Sequence, residues 1–187
     1  MTTTYDWQRN RTMWIRVLEK QTGEGLDAWK AKLRAHQFRD EKQLRSWLSH
    51  RDVTGYAQQL LVMERFGYPD FVIATADELI NRQYADAPEL RAIYDAIVQA
   101  AANCGDLTIQ ARKTFVSLVS PRRTFARVQR ARAHVNLGLR LDGQRPVGRL
   151  VRSKIHDTMR IQVEVENVAQ VDAELQDWLK RAYAQNA

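Results

Sequence analysis

The sequence is poor in cysteine and in long hydrophobic runs. Cys104 is its one cysteine, so an internal disulfide and a Cys-x-x-Cys site are both excluded. A protein without disulfides is typical of a reducing compartment. No apolar run is long enough to span a bilayer, and the N-terminal residues lack the hydrophobic core of a signal peptide. We therefore expect a cytoplasmic protein with no membrane contact.

Acidic residues are scarce in one segment of the chain. Residues 111–160 contain thirteen Lys or Arg and two acids, a balance of 13 − 2 = +11, while the rest has 16 − 20 = −4. A clustered positive charge attracts polyanions such as nucleic acid, and salt weakens the attraction. The alternative is a basic domain that binds no polyanion.

The N-terminal residues show helical periodicity. Apolar positions predict one helix over 5–21, a second after Gly25, a third opened by the capping-box pair Asp40 and Gln43, and a fourth from Thr54 to Phe66. In the fourth helix we expect Tyr56 and Phe66 to be buried with the leucines. The tryptophans at 7, 14, 29 and 47 fit the same core. Residues 1–67 are thus predicted to form a small helical domain.

The turn between the third and fourth helices allows a helix-turn-helix interpretation. Its second helix would present Gln58, Gln59 and Arg65 to DNA. Recognition helices usually carry more basic and amide side chains than this one, which also contains Glu64. The pattern therefore favours packing over base recognition.

The C-terminal residues predict a second domain with strands. A connector over 68–86 contains a short helix, 76–84, and a longer helix follows Pro88. The period then changes to two: Val135, Leu137, Leu139 and Leu141 alternate with polar residues, and similar strands are expected near 107–111, 125–129 and 159–165. A terminal helix capped by Asn167 and Gln170 completes domain 87–187. The predicted fold class is α+β: a helical domain, then a helix, four to five antiparallel strands and a helix.

Two stretches carry a family resemblance. Residues 22–61 resemble the bacterial domain-of-unknown-function family 4287, with its TG-x-S-L-D-E-W opening and a later G-x-A pair matched by Gly55 and Ala57. Residues 88–183 resemble family 5655. Its marks are K-T-[YF]-V at 113–116, F-A-x-[VI] at 125–128, L-x-L at 137–141 and V-D-A-E-L-x-x-W-L at 171–179.

The resemblance implies a fold and little chemistry. Neither family has an assigned function or agreed catalytic residues, although the 5655-type domain also ends larger proteins with nuclease-like regions, which suggests a link to nucleic-acid metabolism. Two positions depart from the families. Gly25 replaces a capping serine, which should weaken that helix start, and Met159 replaces a frequent histidine, which removes any chemistry of that imidazole.

The residue types offer little for catalysis. The basic segment contains His134, His156, Asp142 and Asp157, too few to predict a metal site, and no cofactor or nucleotide motif is present. We therefore predict no catalytic residue, no metal and no cofactor. A hydrolase remains a third hypothesis, which would require the fold to bring an acid such as Glu164 or Asp106 beside a histidine.

A basic sheet surface is the leading prediction. The first hypothesis is an accessory module that binds nucleic acid or another polyanion without strong sequence preference. The alternative is a protein-interaction or small-anion-binding domain, with specificity supplied by the helical half or by a pocket between the halves. Candidate polyanion-binding residues are Arg112, Lys113, Arg122, Arg123, Arg127, Arg130, Arg132, Arg140 and Arg160. Candidates for stacking or polar contact are Phe125, His134 and Asn136.

Overall fold

The chain forms two units that interleave along the sequence. The computed structural model describes residues 1–4 and 8–187. One unit, here the helical unit, is Asp6–Thr75, and the other, the sheet unit, combines Met1–Tyr5 with Ala76–Ala187. The segment 68–86, expected as a connector, is divided between the two units. The protein has the α+β fold class that the sequence predicts.

The helical unit is built from short helices joined by tight turns. Its described elements are α1 (Gln8–Thr22), α2 (Leu26–Arg34), α3 (Glu41–Ser49), α4 (Gly55–Phe66) and α5 (Asp70–Ile73). Asp40 accepts a hydrogen bond from the Gln43 backbone N–H at 2.8 Å, and the Gln43 side chain accepts one from the Arg39 N–H at 2.8 Å. The first bond confirms Asp40 as the cap of α3, whereas the second comes from the residue before the cap and not from the Asp40 N–H that a capping box requires. Gly25 caps α2 without a side-chain hydrogen bond, as its lack of a side chain requires.

Leucines fill the core of the helical unit. Leu18, Leu44, Leu48, Leu60 and Leu61 have no exposed surface. Two expectations for α4 are wrong, because the side chains of Tyr56 and Phe66 are 60% and 40% exposed. The exposed Tyr56 ring still contacts α1, with its centroid 6.1 Å from that of Trp14. The predicted core residue Trp7 lies outside the described residues.

The sheet unit contains three helices and seven strands in its described part. They are β1 (Thr2–Thr4), α6 (Ala76–Tyr84), α7 (Pro88–Ala102), β2 (Leu107–Ala111), β3 (Val116–Val119), β4 (Thr124–Arg130), β5 (Val135–Leu139), β6 (Val151–Arg152), β7 (Ile161–Val165) and α8 (Ala173–Asn186). The start of α8 differs from expectation. Asp172, not Asn167, accepts the capping hydrogen bond from the Leu175 N–H at 3.0 Å, and a 3-10 turn occupies Val168–Gln170.

One mixed sheet joins these strands in the order β1-β2-β3-β4-β5-β7-β6. All neighbours pair antiparallel except β1 and β2, which are parallel. The alternation of polar and apolar residues predicts up to five antiparallel strands, and β1 and β6 are additional. Their three and two residues are too few to show a period of two, so their strand structure depends on their partners.

The two faces of the sheet differ in chemistry. On the inner face, Val116, Leu118, Val128, Leu137 and Val163 are fully buried. Helices α7 and α8 pack against β4 and β5. Side chains at the intervening positions form the outer face. Within the described residues, no helix has the length and hydrophobicity to cross a bilayer.

A loop lies over part of the outer face. Residues 153–160, here the covering loop, place the Ile155 side chain against Gly138 of β5, where an added Cβ would be 2.5 Å from Ile155 Cδ1. The Lys154 N–H donates to Gln162 Oε1 at 2.8 Å, and Gln162 Nε2 donates to Asn136 Oδ1 at 3.3 Å. Gln162 is consequently only 5% exposed. On this face the covering loop therefore lies against β5 and β7.

Candidate anion-binding surface

The sheet register separates the predicted basic residues into three groups. Arg127 lies in the middle of the outer face, opposite Ser117 on one side and Gly138 on the other. Four residues lie at the end of the sheet where β2 and β4 finish, and four at the opposite end. The first four are Arg112, Lys113, Arg130 and Arg132; the second four are Arg122, Arg123, Arg140 and Arg160.

Arg127 has the most unusual environment of these residues. Its guanidinium carbon lies 3.9 Å from the centroid of the Phe115 ring, and the side chain is half-buried. Burial lowers the pKa of this guanidinium below its ordinary value. Among the described residues, no carboxylate pairs with Arg127, and its buried Nε has no hydrogen-bond partner. The side chain is therefore a partly desolvated cation that lies over an aromatic ring.

Arg140 lies on the same face as Arg127 and is also half-buried. It follows β5 two positions after Gly138, the residue opposite Arg127, so alternation puts both arginines on the outer face in neighbouring rows. Its Nε is also buried, and no partner for it occurs in the described part of the chain. The fold thus brings together Arg127 and Arg140, which are thirteen positions apart along the sequence.

Arg130 does not belong to this surface. Three positions after Arg127, it emerges on the opposite face of β4. There it donates to both carboxylate oxygens of Asp86, at 2.6 and 3.0 Å, and to the Gln83 backbone oxygen at 2.7 Å. The hydrogen bonds between Arg130 and Asp86 raise the pKa of Arg130 and lower that of Asp86. The expectation that Arg130 serves a ligand with Arg127 is replaced by a structural role at the end of α6.

The remaining basic candidates vary in their partners. Arg160 lies 3.5 Å from Asp142 in an exposed ion pair. Arg123 donates to the Gln185 backbone oxygen at 3.4 Å, near the end of α8. The Arg112 backbone oxygen accepts from Gln83 Nε2 at 2.6 Å. The described residues include no carboxylate within ion-pair distance of three others: Lys113, Arg122 and Arg132.

Phe125 is not available for stacking. The pairing of β3 with β4 shifts between Leu118 and Val119, whose partners are Ala126 and Thr124, so Phe125 is left as an extra residue in β4. Such a bulge puts two consecutive side chains on nearly the same face. Phe125 is fully buried, with its ring 5.2 Å from that of Tyr183. Strict alternation predicts an outward ring, and the bulge reverses it.

The two polar candidates lie on the outer face near β7. Asn136 is held by Gln162, as described above. His134 Nε2 lies 3.9 Å from Glu164 Oε2, beyond hydrogen-bond range and an ion pair only when the imidazole is protonated. The hydrolase hypothesis named Glu164 and Asp106 as acids that should meet a histidine. Glu164 does approach one, whereas Asp106 pairs with the α-amino group of Met1.

The sequence prediction missed Phe115, the ring beneath Arg127. It appeared only as part of the K-T-[YF]-V motif, because the residue beside it in space is twelve positions away in sequence. Pairing β3 with β4 would have found it: Val116 is opposite Val128, so Phe115 and Arg127 are diagonal neighbours on the outer face.

A family comparison agrees with the sheet unit. The family described as Domain of unknown function (DUF5655) matches residues 80–186, more than half of the chain. The chain belongs to this family. The matched DUF5655 domain contains every candidate residue named above and confirms the C-terminal resemblance, while the resemblance of residues 22–61 to family 4287 stays a prediction. Searches of curated proteins and of solved structures gave no match.

Proposed function

We propose that the DUF5655 domain of this protein binds nucleic acid through the outer face of its sheet, without strong sequence preference. Arg127 and Arg140 would make the central phosphate contacts. The observation that carries the proposal is the state of these two side chains: each is half-buried, has no carboxylate partner in the described residues and holds a buried, unbonded Nε.

The chemistry of these groups suits a phosphate. The Nε of each arginine is buried, so a phosphate would contact the terminal nitrogens of these half-buried guanidinium groups, and charge-assisted hydrogen bonds of this kind are strong. The planar guanidinium matches two phosphate oxygens at once, and stacking on Phe115 fixes the plane of Arg127 before a ligand arrives. Less entropy is then lost when the contact forms.

Long-range charge supports the same partner. Among the basic residues of 111–160 other than Arg112, only Arg130, Arg149 and Arg160 form ion pairs with carboxylates in the described structure. Most of the positive charge is therefore not neutralised locally, and it would draw a polyanion toward the sheet. Basic residues at both ends of the sheet extend the surface beyond Arg127 and Arg140.

A binding titration of the full chain tests this proposal. Fluorescence anisotropy with labelled single-stranded and duplex oligonucleotides would be measured at several salt concentrations. We expect Arg127→Gln/Arg140→Gln to weaken binding at least about tenfold at low salt. The slope of log affinity against log salt should fall by roughly 0.7–0.9 for each phosphate that the variant no longer neutralises.

Two controls separate the surface from net charge. Arg16→Gln/Lys20→Gln removes two exposed positive charges from α1, so it should leave most of the binding intact. Arg127→Lys keeps the charge but not the planar stack, and it should give an intermediate affinity. Equal weakening in both double variants, or no binding by the wild type at low salt, would refute the proposal. An acidic peptide that binds where oligonucleotides do not would instead indicate a protein partner.

A further inference from the structure

The helical unit has a second cationic surface, which the overall charge count hides. Residues 30–51 contain seven Lys or Arg and two acids, 7 − 2 = +5, although the chain outside 111–160 is negative on balance. A concave surface runs along α3 and the turns at its two ends. Here called the α3 groove, it is lined by Arg39, Asp40, Lys42, Gln43, Ser46, Trp47, His50 and Arg51.

The acid at the groove does not form an ion pair with these cations. The Asp40 side chain accepts the hydrogen bond from the Gln43 N–H, at 2.8 Å, that caps α3. Across the described residues, Arg39, Lys42 and Arg51 have no carboxylate within ion-pair distance. The nearby cations Lys30, Lys32 and Arg45 differ in this respect, since each pairs with a glutamate. Three basic side chains without an ion-pair partner in the described residues therefore line the groove.

Arg51 is held in a fixed orientation. Its guanidinium carbon lies 3.8 Å from the centroid of the Trp47 ring, and its Nη1 donates to the Trp47 backbone oxygen at 3.0 Å. The Trp47 ring in turn contacts His36 and Phe38, with centroids 4.9 and 5.4 Å away. A ring supported on several sides cannot turn freely, so the unbonded N–H groups of Arg51 keep one direction.

His50 adds a polar nitrogen at the same end of α3 as Arg51. Its Nδ1 lies 2.7 Å from the Ser46 backbone oxygen. A carbonyl oxygen only accepts, so Nδ1 carries the proton and donates, and Nε2 is the nitrogen left for other partners.

We propose that the α3 groove binds a phosphate group through Arg39, Lys42 and Arg51. The three cations, one of them pre-oriented on Trp47, provide charge and planar hydrogen-bond donors for a phosphate dianion. The site is separate from the outer face of the sheet, and it does not depend on the function proposed there. The phosphate belongs either to a small phosphate-bearing compound or to a nucleic-acid backbone.

Nuclear magnetic resonance of the full chain tests this site directly. Inorganic pyrophosphate would be titrated into ¹⁵N-labelled protein while the indole N–H resonance of Trp47, assigned with Trp47→Phe, is followed. In the wild type the resonance should shift and saturate. In Arg39→Gln/Lys42→Gln, whose altered side chains are exposed, the midpoint should rise at least about tenfold. Arg16→Gln/Lys20→Gln, with the same loss of charge, should behave as the wild type.

The outcomes also identify the source of the phosphate. Labelled oligonucleotide would be titrated into the same variants. If Arg39→Gln/Lys42→Gln weakens both ligands, the groove contacts a nucleic-acid backbone; if it weakens pyrophosphate alone, the ligand is a small phosphate compound. No saturable shift of Trp47, or equal midpoints in the two double variants, would overturn the proposal. Neither result depends on Arg127 and Arg140, so the two proposals can fail separately.

Discussion

At the scale of single residues, the groups that a charged side chain contacts decide its role. Arg127 and Arg130 are three positions apart in β4, yet one stacks on Phe115 and the other is bound to Asp86 and Gln83. The sequence pattern assigned both to one binding surface. Their difference follows from strand geometry, because an odd spacing places two side chains on opposite faces. A count of basic residues therefore locates a charged segment without defining its surface.

Glu64 shows the same dependence on partners in the helical unit. Its side chain is 8% exposed and accepts hydrogen bonds from Arg11 at 2.7 Å, Tyr68 at 2.5 Å and Lys30 at 2.9 Å. Burial by itself would raise the pKa of Glu64. The bonds from Lys30, Tyr68 and Arg11 outweigh it and lower the pKa below the ordinary value of 4.5. This cluster connects α1, α2 and α4.

We predict that Glu64→Gln destabilises the helical unit by about 1–3 kcal/mol at neutral pH, since charge-assisted hydrogen bonds are lost. The pH dependence has a definite sign. A lowered pKa in the folded state stabilises the fold above pH 4.5, and this contribution disappears as the pH falls through the lowered value. Chemical denaturation at several pH values should show a smaller acid-induced loss of stability in the variant. Equal pH slopes in both proteins would contradict this account.

At the scale of elements, irregular strands determine what the outer face presents. The bulge in β4 turns Phe125 inward against Tyr183 while Arg127 stays outward. Gly138 has a comparable effect in β5. Its lack of a side chain lets Ile155 and Met159 of the covering loop approach the sheet, and the loop then buries Gln162. The loop thereby covers the outer face at Gly138, the residue paired with Arg127.

We predict that Gly138→Ala costs about 1–3 kcal/mol of stability, the usual range for overpacking. The new Cβ would lie 2.5 Å from Ile155 Cδ1 and 3.1 Å from Met159 Cβ, so the covering loop must move. Ile155→Ala removes the closer of these two clashes. In a double-mutant cycle measured by denaturation, the combined variant should lose less stability than the sum of the single variants. Additive losses would show that the loop does not press on Gly138.

At the scale of the whole molecule, the sheet unit includes a strand, β1, that precedes the helical unit in the sequence. The parallel strand β1 pairs with β2, and the Leu107 N–H donates to the Met1 backbone oxygen at 2.9 Å. The family match begins at residue 80, so β1 and the helical unit both lie outside it. The sheet of the DUF5655 domain is thus extended by residues that precede the helical unit.

We predict that removal of residues 1–4 exposes β2 as the edge of the sheet. Each hydrogen bond removed is worth about 0.5–1.5 kcal/mol, so the Leu107 amide should exchange with solvent roughly two- to tenfold faster. Hydrogen exchange followed by mass spectrometry would measure this for the peptide containing β2. Peptides from β5, which keeps both neighbours, serve as the control. Unchanged exchange in β2 would mean that β1 contributes nothing to its protection.

The sequence by itself determined the helices, the central strands and the concentration of positive charge. The Asp40 cap of α3 and the alternation from Val135 to Leu139 depend on residues only a few positions apart, and such local patterns are visible in a sequence. They predicted the fold class and the basic segment. They also placed Arg127 and Arg140 among the candidates for the surface.

Only the tertiary structure decided which of those candidates share a surface. The pairing of Arg130 with Asp86 joins residues 44 positions apart, and the register of β3 with β4 leaves Phe125 as an extra residue. The same register places Phe115 beneath Arg127. Each of these contacts depends on packing between separate elements, and no local period encodes it. For that reason the charge of this protein can be read from its sequence, while its candidate binding face cannot.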